Sequence, residues 1–191
     1  MKIANLFTGL RIVLMAPLLY FLIKGDSWPA LIVFAAAGLS DIADGWLARA
    51  LNQASRFGAF FDLLADRLLT LTLFCGLLTR GVPEIVVVSG VVLLARDFLV
   101  AGLNEALPDQ LNIQVSPLER AKIALQFLGF GLLILPEQYG DLPLGADIIV
   151  PLNSFDVGVV CLSLSAVLCL MTVGEYVRRA RQAFETDRNR G

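Results

Sequence analysis

The chain has 191 residues, of which 57% are hydrophobic and only 17% are charged. A soluble globular domain is nearer half apolar, with about a quarter of its residues charged. The composition therefore indicates one integral membrane domain over residues 1–191. The chain contains no histidine, which excludes histidine-based zinc sites and nucleophile triads that depend on a histidine base.

Apolar segments of roughly 20 residues, the length that crosses a bilayer, recur along the chain. They predict six transmembrane helices over residues 6–23, 29–51, 56–78, 83–103, 117–135 and 153–177. Glycine and proline mark most of the boundaries between them. The predicted fold class is all-α, a six-helix membrane protein, with residues 136–151 as an outer loop.

The basic residues predict how these helices are oriented. Thirteen of the fifteen Lys and Arg residues fall at or near the side that holds both termini, and only Lys24 and Arg80 fall opposite. Because cytoplasmic loops carry the excess of positive charge, both termini are predicted to be cytoplasmic. In a bacterium this membrane is the inner, or cytoplasmic, membrane. The basic tail, residues 178–191, is expected to contact anionic lipids.

The segment 41–66 carries ionisable residues inside predicted membrane helices, where they are costly and indicate function. It reads Asp41-x-x-Asp44-Gly45-x-x-Ala48-Arg49, then eight residues, then Gly58-x-x-x-Asp62-x-x-x-Asp66. Helical spacing puts each half on one face of its helix, and the polar stretch 52–56 turns the chain between them. We therefore expect four carboxylates to meet in a polar cavity open to the cytoplasm. Such oxygen ligands suit Mg²⁺ or Mn²⁺.

Two other interpretations of the aspartates stay open on the residues alone. They would line a cation pathway in a transporter or channel, or form structural ion pairs with Arg49, Arg56 and Arg67. Neither accounts for the two glycines or for the spacing.

The segment 41–66 resembles the signature of the CDP-alcohol phosphotransferase family at every fixed position. Asn5-Leu6-x-Thr8-x-x-Arg11 is similar to the start of that family's first helix. The turn 52–60, the triplet Ala95-Arg96-Asp97 and the segment 175–181 are similar to bacterial phosphatidylglycerophosphate synthases of the family. The chain departs from those synthases at Leu63, Arg67, Asn104 and Glu119.

The resemblance implies a membrane enzyme of phospholipid biosynthesis. Its reaction joins an alcohol to the phosphate of CDP-diacylglycerol and releases CMP. Glycerol 3-phosphate is the expected acceptor, which would give phosphatidylglycerophosphate. Because the departures fall where the acceptor would be selected, phosphatidylglycerol, as in a cardiolipin synthase, inositol phosphate and serine remain alternatives. The family also implies a homodimer in a lipid bilayer, and no nucleic-acid partner is expected.

The resemblance also assigns roles to residues. The implied metal ligands are Asp41, Asp44, Asp62 and Asp66, which would hold Mg²⁺ or Mn²⁺, with two ions expected. Asp66 is also the implied general base. The implied CDP-lipid contacts are Asn5, Thr8, Asp41, Gly45, Ala48, Arg49 and Gly58. The candidates for the acceptor phosphate are Arg96, Arg120 and Lys122, which are predicted to lie at the cytoplasmic ends of the fourth and fifth helices.

Overall fold

The structure, a computed structural model, describes residues 3–50, 56–106, 117–136, 139–143 and 149–188. Side-chain surroundings are described for residues 8–40, 58, 61–102, 117–136, 153–174, 176 and 178. Within these ranges the helices are α1 (Ile3–Lys24), α2 (Ser27–Ala50), α3 (Arg56–Leu78), α4 (Glu84–Ala106), α5 (Pro117–Ile134) and α6 (Ser154–Arg188). The helical class is confirmed, and each of the six predicted segments contains a helix, whereas six membrane spans stay a prediction. The predicted bounds of the third helix agree with α3 at both ends.

Two short strands add to the predicted helices. β1 (Tyr139–Pro143) and β2 (Ile149–Asn153) form an antiparallel hairpin between α5 and α6, where the sequence analysis predicts only a loop. The prolines within it, Pro143 and Pro151, obscure the strand pattern. A two-stranded ribbon tolerates them because each strand has an outer edge that needs no N–H donor.

Glycines with positive φ end two of the helices. Gly25, at φ 80°, follows α1, and Gly81, at φ 71°, follows α3. After α1 the N–H of Gly25 donates to the carbonyl of Leu22 at 3.2 Å, and the N–H of Asp26 donates to that of Phe21 at 3.0 Å. This pair of bonds satisfies carbonyls at the helix end and needs a left-handed residue, for which glycine has the lowest cost.

α6 starts at a polar cap and runs well past its predicted end. The Asn153 side-chain oxygen accepts a hydrogen bond from the Phe155 N–H at 3.0 Å, which caps the first turn. The apolar pattern predicts an end near residue 177, but the helix continues to Arg188. The apolar stretch marks the membrane-length part of the helix. The residues beyond it are rich in Arg and Ala, which are good helix formers and continue the helical backbone.

The chain clusters into two compact units. The first consists of Met1–Val82 with Phe130–Asp156, and the second of Pro83–Gly129 with Val157–Gly191. In the first unit α1 packs against both α2 and α3. Its buried apolar side chains include Leu18, Leu22, Ala30, Phe34, Ala37, Ala65, Leu69, Leu73 and Leu77. In the second unit they include Val86, Leu93, Val100, Leu162 and Ala166. The predicted single domain stays a prediction.

One arginine joins several helix ends in the first unit. Arg80 donates from Nε to the carbonyl of Leu22 at 3.3 Å, from Nη1 to that of Ile134 at 3.2 Å, and from Nη2 to Ser27 Oγ at 3.2 Å. These contacts connect the ends of α1 and α5 with the start of α2. Burial lowers the pKa of the Arg80 guanidinium, and the charge of Asp26 opposes that shift.

Two helical segments of the described chain are long and apolar enough to cross a membrane, Glu84–Gly102 and Ser154–Gly174. A shorter apolar helix covers Ser27–Ser40. Large apolar side chains are exposed in both units, among them Val13, Ile32 and Val160. The described chain therefore contains membrane-type helices with apolar outer surfaces.

Candidate active site

The aspartate motif is divided between α2 and α3. Asp62 and Asp66 lie one turn apart on α3, and Gly58 lies in the first turn of that helix. The other motif residues lie on α2, and their side chains are outside the described residues: Asp41, Asp44, Gly45, Ala48 and Arg49. Because the α2 backbone is helical there, Asp41 and Asp44 share one helix face. The meeting of all four carboxylates stays a prediction.

Arg11 of α1 brings the two carboxylates of α3 together. Its Nη1 atom lies 3.0 Å from Oδ1 of Asp62 and 2.8 Å from Oδ1 of Asp66. The Arg11 side chain is 0% exposed, whereas those of Asp62 and Asp66 are 43% and 54% exposed. The arginine therefore lies in the interior of the first unit, and the two carboxylates lie nearer its surface.

Of the residues expected to contact the CDP-lipid, the structure describes the surroundings of Thr8 and Gly58. Thr8 lies one turn before Arg11 on α1 and is buried, so the two side chains share a helix face. Gly58 is half-buried on α3. The Asn5 side chain is outside the described residues, so its predicted contact stays untested.

The donor chemistry of this site fits a hard divalent cation. The described donors, Asp62 and Asp66, are carboxylates whose Oδ1 atoms both lie within hydrogen-bond distance of one nitrogen. They are half-exposed, so a hydrated ion has access to them. Oxygen donors of this type are the ones that Mg²⁺ and Mn²⁺ prefer. The two α3 carboxylates thus supply part of a metal site, and Asp41 and Asp44 are its predicted remainder.

A second charged cluster lies in the second unit, between α4 and α5. Arg96 contacts Asp97 Oδ1 through Nη1 at 3.1 Å and Glu119 Oε2 through Nη2 at 2.5 Å. Lys122 Nζ lies 2.9 Å from Asp97 Oδ1. The Arg96 guanidinium also lies 4.9 Å from the ring centroid of Tyr176 on α6. Arg96, Glu119 and Lys122 are all buried.

This cluster contains two of the three predicted acceptor-binding cations. Arg96 and Lys122 are brought together, whereas Arg120 is exposed. The two buried cations are matched by two carboxylates, Asp97 and Glu119, so the cluster has no formal net charge. The ion pair of Glu119 with Arg96 was not predicted from the sequence. Their separation of 23 residues, on different helices, gives no periodic signal.

The contact of Arg11 with Asp62 and Asp66 was not predicted from the sequence either. A signal was available, because a single arginine inside an otherwise apolar first helix needs a partner in a membrane protein. Which carboxylates it meets depends on how α1 packs against α3, and the sequence pattern does not specify that packing.

Comparison with known proteins gives a consistent family. A family model described as CDP-alcohol phosphatidyltransferase matches residues 1–173. A Rickettsia felis protein named CDP-diacylglycerol–glycerol-3-phosphate 3-phosphatidyltransferase is 33% identical over 155 residues, which cover 80% of this chain and 79% of that protein. A Drosophila melanogaster protein named "Probable cardiolipin synthase (CMP-forming)" is 37% identical over 106 residues, which cover 52% of this chain and 33% of that protein.

Solved structures of phosphatidylinositol phosphate synthase from Mycobacterium tuberculosis have the same fold. The structure with CDP-DAG bound superposes with a TM-score of 0.64 at 19% identity, covering 93% of this chain and 85% of that chain. The structure with manganese and citrate gives a TM-score of 0.63 at 18% identity, covering 93% and 80%. At this identity the likeness establishes the fold.

Proposed function

Because this chain belongs to the CDP-alcohol phosphatidyltransferase family, we propose that it transfers the phosphatidyl group of CDP-diacylglycerol to glycerol 3-phosphate. The products are phosphatidylglycerophosphate and CMP. Glycerol 3-phosphate is inferred as the acceptor because the chain is similar, over 80% of its length, to a relative named for this reaction. The half-exposed pair of Asp62 and Asp66 is the part of the described structure that supports the chemistry.

The transfer requires a base at the acceptor hydroxyl, and Asp66 takes that role. The hydroxyl gives its proton to the Asp66 carboxylate, and its oxygen forms a bond to the phosphorus that carries diacylglycerol. The bond from that phosphorus to the CMP oxygen breaks, and CMP leaves with the electron pair. Asp66 is suited to this role because its side chain is 54% exposed and so accessible to a substrate.

Asp41, Asp44, Asp62 and Asp66 would hold the divalent cation, Mg²⁺ or Mn²⁺, with two ions proposed. When bound, the metal neutralises the diphosphate and stabilises the attacking and leaving oxygens. The manganese seen with the structurally similar mycobacterial synthase supports a metal of this class.

The nucleotide part of CDP-diacylglycerol is proposed to contact the first two helices and the start of α3. Gly45, Ala48 and Gly58 leave room where the nucleotide approaches the backbone. Arg49 pairs with phosphate. Asn5, Thr8 and Asp41 complete the proposed set of CDP-lipid contacts.

The acceptor phosphate is proposed to bind Arg96, Lys122 and Arg120. Arg96 and Lys122 are buried cations in contact with carboxylates, and burial strengthens their attraction for an anion. Because Asp97 and Glu119 already neutralise them, a phosphate must displace at least one carboxylate. Glu119 is the candidate for displacement, since its Oε2 contacts Arg96, whereas Asp97 Oδ1 contacts both Arg96 and Lys122.

The topology is proposed to be six membrane spans in the cytoplasmic membrane, with both termini cytoplasmic and a polar cavity open to that side. The distribution of Lys and Arg supports this orientation, and the two membrane-type helices support the membrane location. A homodimer is proposed from the family alone.

A second acceptor, phosphatidylglycerol, is a candidate because part of the chain is similar to a protein named as a cardiolipin synthase.

Purified protein would be incubated with CDP-diacylglycerol and Mg²⁺, and CMP release would be measured with glycerol 3-phosphate, phosphatidylglycerol, inositol phosphate or serine. We expect release that depends on glycerol 3-phosphate and stops with EDTA. CMP release with one of the other acceptors, and none with glycerol 3-phosphate, would show that glycerol 3-phosphate is not the acceptor. Absence of CMP release with all four would argue against the enzyme and favour the cation-transporter alternative.

A further inference from the structure

We propose that Arg11 is a positioning residue that fixes the carboxylates of Asp62 and Asp66 for metal binding. The inference rests on the proposed function, since it takes those aspartates to be metal ligands. Arg11 is fully buried, and it is the largest of the fully buried side chains in the described part of the chain. A buried arginine is costly unless carboxylates compensate its charge, so the contacts with Asp62 and Asp66 stabilise its position.

The geometry of the contact constrains both aspartates at once. A single nitrogen, Nη1, lies 3.0 Å from one Oδ1 and 2.8 Å from the other. Asp62 and Asp66 are one helical turn apart, so a shared donor limits the rotation of each side chain relative to the other. The contact occupies Oδ1 of each carboxylate and leaves Oδ2 outside these two bonds.

The difference in burial indicates on which side the arginine lies. Arg11 is 0% exposed, whereas the carboxylates are 43% and 54% exposed. The guanidinium therefore supports the carboxylates from the interior of the first unit, and each aspartate side chain keeps an exposed part that an ion can reach. This is the arrangement of a residue that orients ligands rather than one that blocks them.

Removal of Arg11 would have two effects of opposite sign on metal affinity. Loss of its positive charge would favour a cation, and loss of the shared hydrogen bonds would let the carboxylates rotate apart. The charge effect is weakened because the carboxylates are half-exposed to solvent. Loss of a hydrogen-bonding partner of metal ligands typically lowers metal affinity about 10–100-fold, so the orientation effect is expected to dominate.

The test is Mn²⁺ binding to the purified full chain in detergent, measured from the electron paramagnetic resonance signal of free Mn²⁺. We expect Arg11→Gln to raise the Mn²⁺ Kd by about 10–100-fold. Arg11→Lys keeps the charge but loses the planar donor group, so its Kd should lie between those of wild type and Arg11→Gln. Arg80→Gln is the matched control, because it removes a second arginine of the same unit that joins α1 to other helices. It should lower thermal stability and leave the Mn²⁺ Kd unchanged.

The outcomes separate the two hypotheses. If the wild type releases CMP and binds Mn²⁺, but Arg11→Gln binds Mn²⁺ with an unchanged or lower Kd, the positioning role is wrong and the proposed function stands. If Arg11→Gln does not fold, a wild-type Kd for Arg11→Lys would overturn the inference in the same way. If the wild type itself neither binds Mn²⁺ nor releases CMP, the proposed function fails and the inference fails with it.

Discussion

Arg96 of α4 and Glu119 of α5 form a buried ion pair, with Nη2 of the arginine 2.5 Å from Oε2 of the glutamate. Both side chains are at most 10% exposed. Loss of one partner from a buried pair leaves an uncompensated charge, which typically costs about 3–5 kcal/mol. Loss of Glu119 should therefore lower the stability of the protein but favour the binding of an anionic acceptor at Arg96.

Glu119→Gln should lower the thermal unfolding midpoint of the ligand-free protein, because Arg96 loses a carboxylate. Glycerol 3-phosphate should raise that midpoint more in the variant than in the wild type, since its phosphate replaces the missing charge and no longer competes with Glu119. The KM for glycerol 3-phosphate should fall by about tenfold, the effect of about 1.4 kcal/mol. Asp156→Asn, at an exposed acidic residue, is the control. Equal stabilisation of variant and wild type by the acceptor would remove Arg96 from the acceptor site.

Asp66→Asn should reduce CMP release by about 10²–10⁴-fold, because an amide cannot take the acceptor proton. The amide oxygen still accepts a hydrogen bond from Arg11 and is still an oxygen ligand, so CDP-diacylglycerol binding should be largely retained and the Mn²⁺ Kd should rise by much less than CMP release falls. Asp26→Asn, in the turn between α1 and α2, controls for loss of a carboxylate elsewhere in the same unit. Near-normal turnover of Asp66→Asn would show that another group is the base.

Arg80→Ala should destabilise the protein by about 1–3 kcal/mol, because the carbonyls of Leu22 and Ile134 lose a charged donor. Arg80→Lys should be intermediate, since an ammonium group cannot reproduce the guanidinium fork. Burial lowers the pKa of the Arg80 guanidinium, but it does so from an ordinary value far above neutrality, so the loss should not depend on pH between about 6 and 8. Thermal unfolding in detergent measures it. Lys24→Gln, at an exposed cation beside the Tyr20 ring, should cost no more than about 1 kcal/mol. A similar loss in both variants would contradict a specific role for Arg80.

Gly129→Val should destabilise the protein by about 1–3 kcal/mol through overpacking. A Cβ at Gly129 would lie 3.0 Å from the backbone nitrogen of Leu162 and 3.2 Å from the carbonyl oxygen of Gly158, so α5 and α6 are packed through this position.

Gly131→Val is the control two residues away on the same helix. Among the described residues, a Cβ there would meet only the Phe34 ring, at 3.6 Å, which is an ordinary contact. The midpoint of thermal unfolding should therefore fall more for Gly129→Val than for Gly131→Val. Equal shifts would contradict the packing assigned to Gly129.

The positions of the helices could be predicted from the sequence. Apolar length and the flanking glycines located all six helices, because hydrophobic segments and left-handed glycines act over a few residues. The hairpin of β1 and β2 was not predicted. Its strands are short and contain prolines, so neither a strand pattern nor a membrane-length segment was present to detect.

For the candidate site, the sequence predicted which residues carry the chemistry. The i, i+4 spacing of Asp62 and Asp66 fixes them on one face of α3, and the spacing of the whole motif identifies the family that the comparisons establish. The sequence also indicated Arg96 and Lys122 as candidate cations for the acceptor phosphate.

Only the tertiary structure decided which charges meet. Arg11 is 51 and 55 residues from the aspartates that it contacts, and Arg96 is 23 residues from Glu119. Periodicity within one helix says nothing about such distances, because they depend on which faces of separate helices pack together. The sequence by itself therefore determined the helices, the family and the candidate ligands. The packing of α1 against α3, and of α4 against α5, decided that the buried arginines are held by these carboxylates.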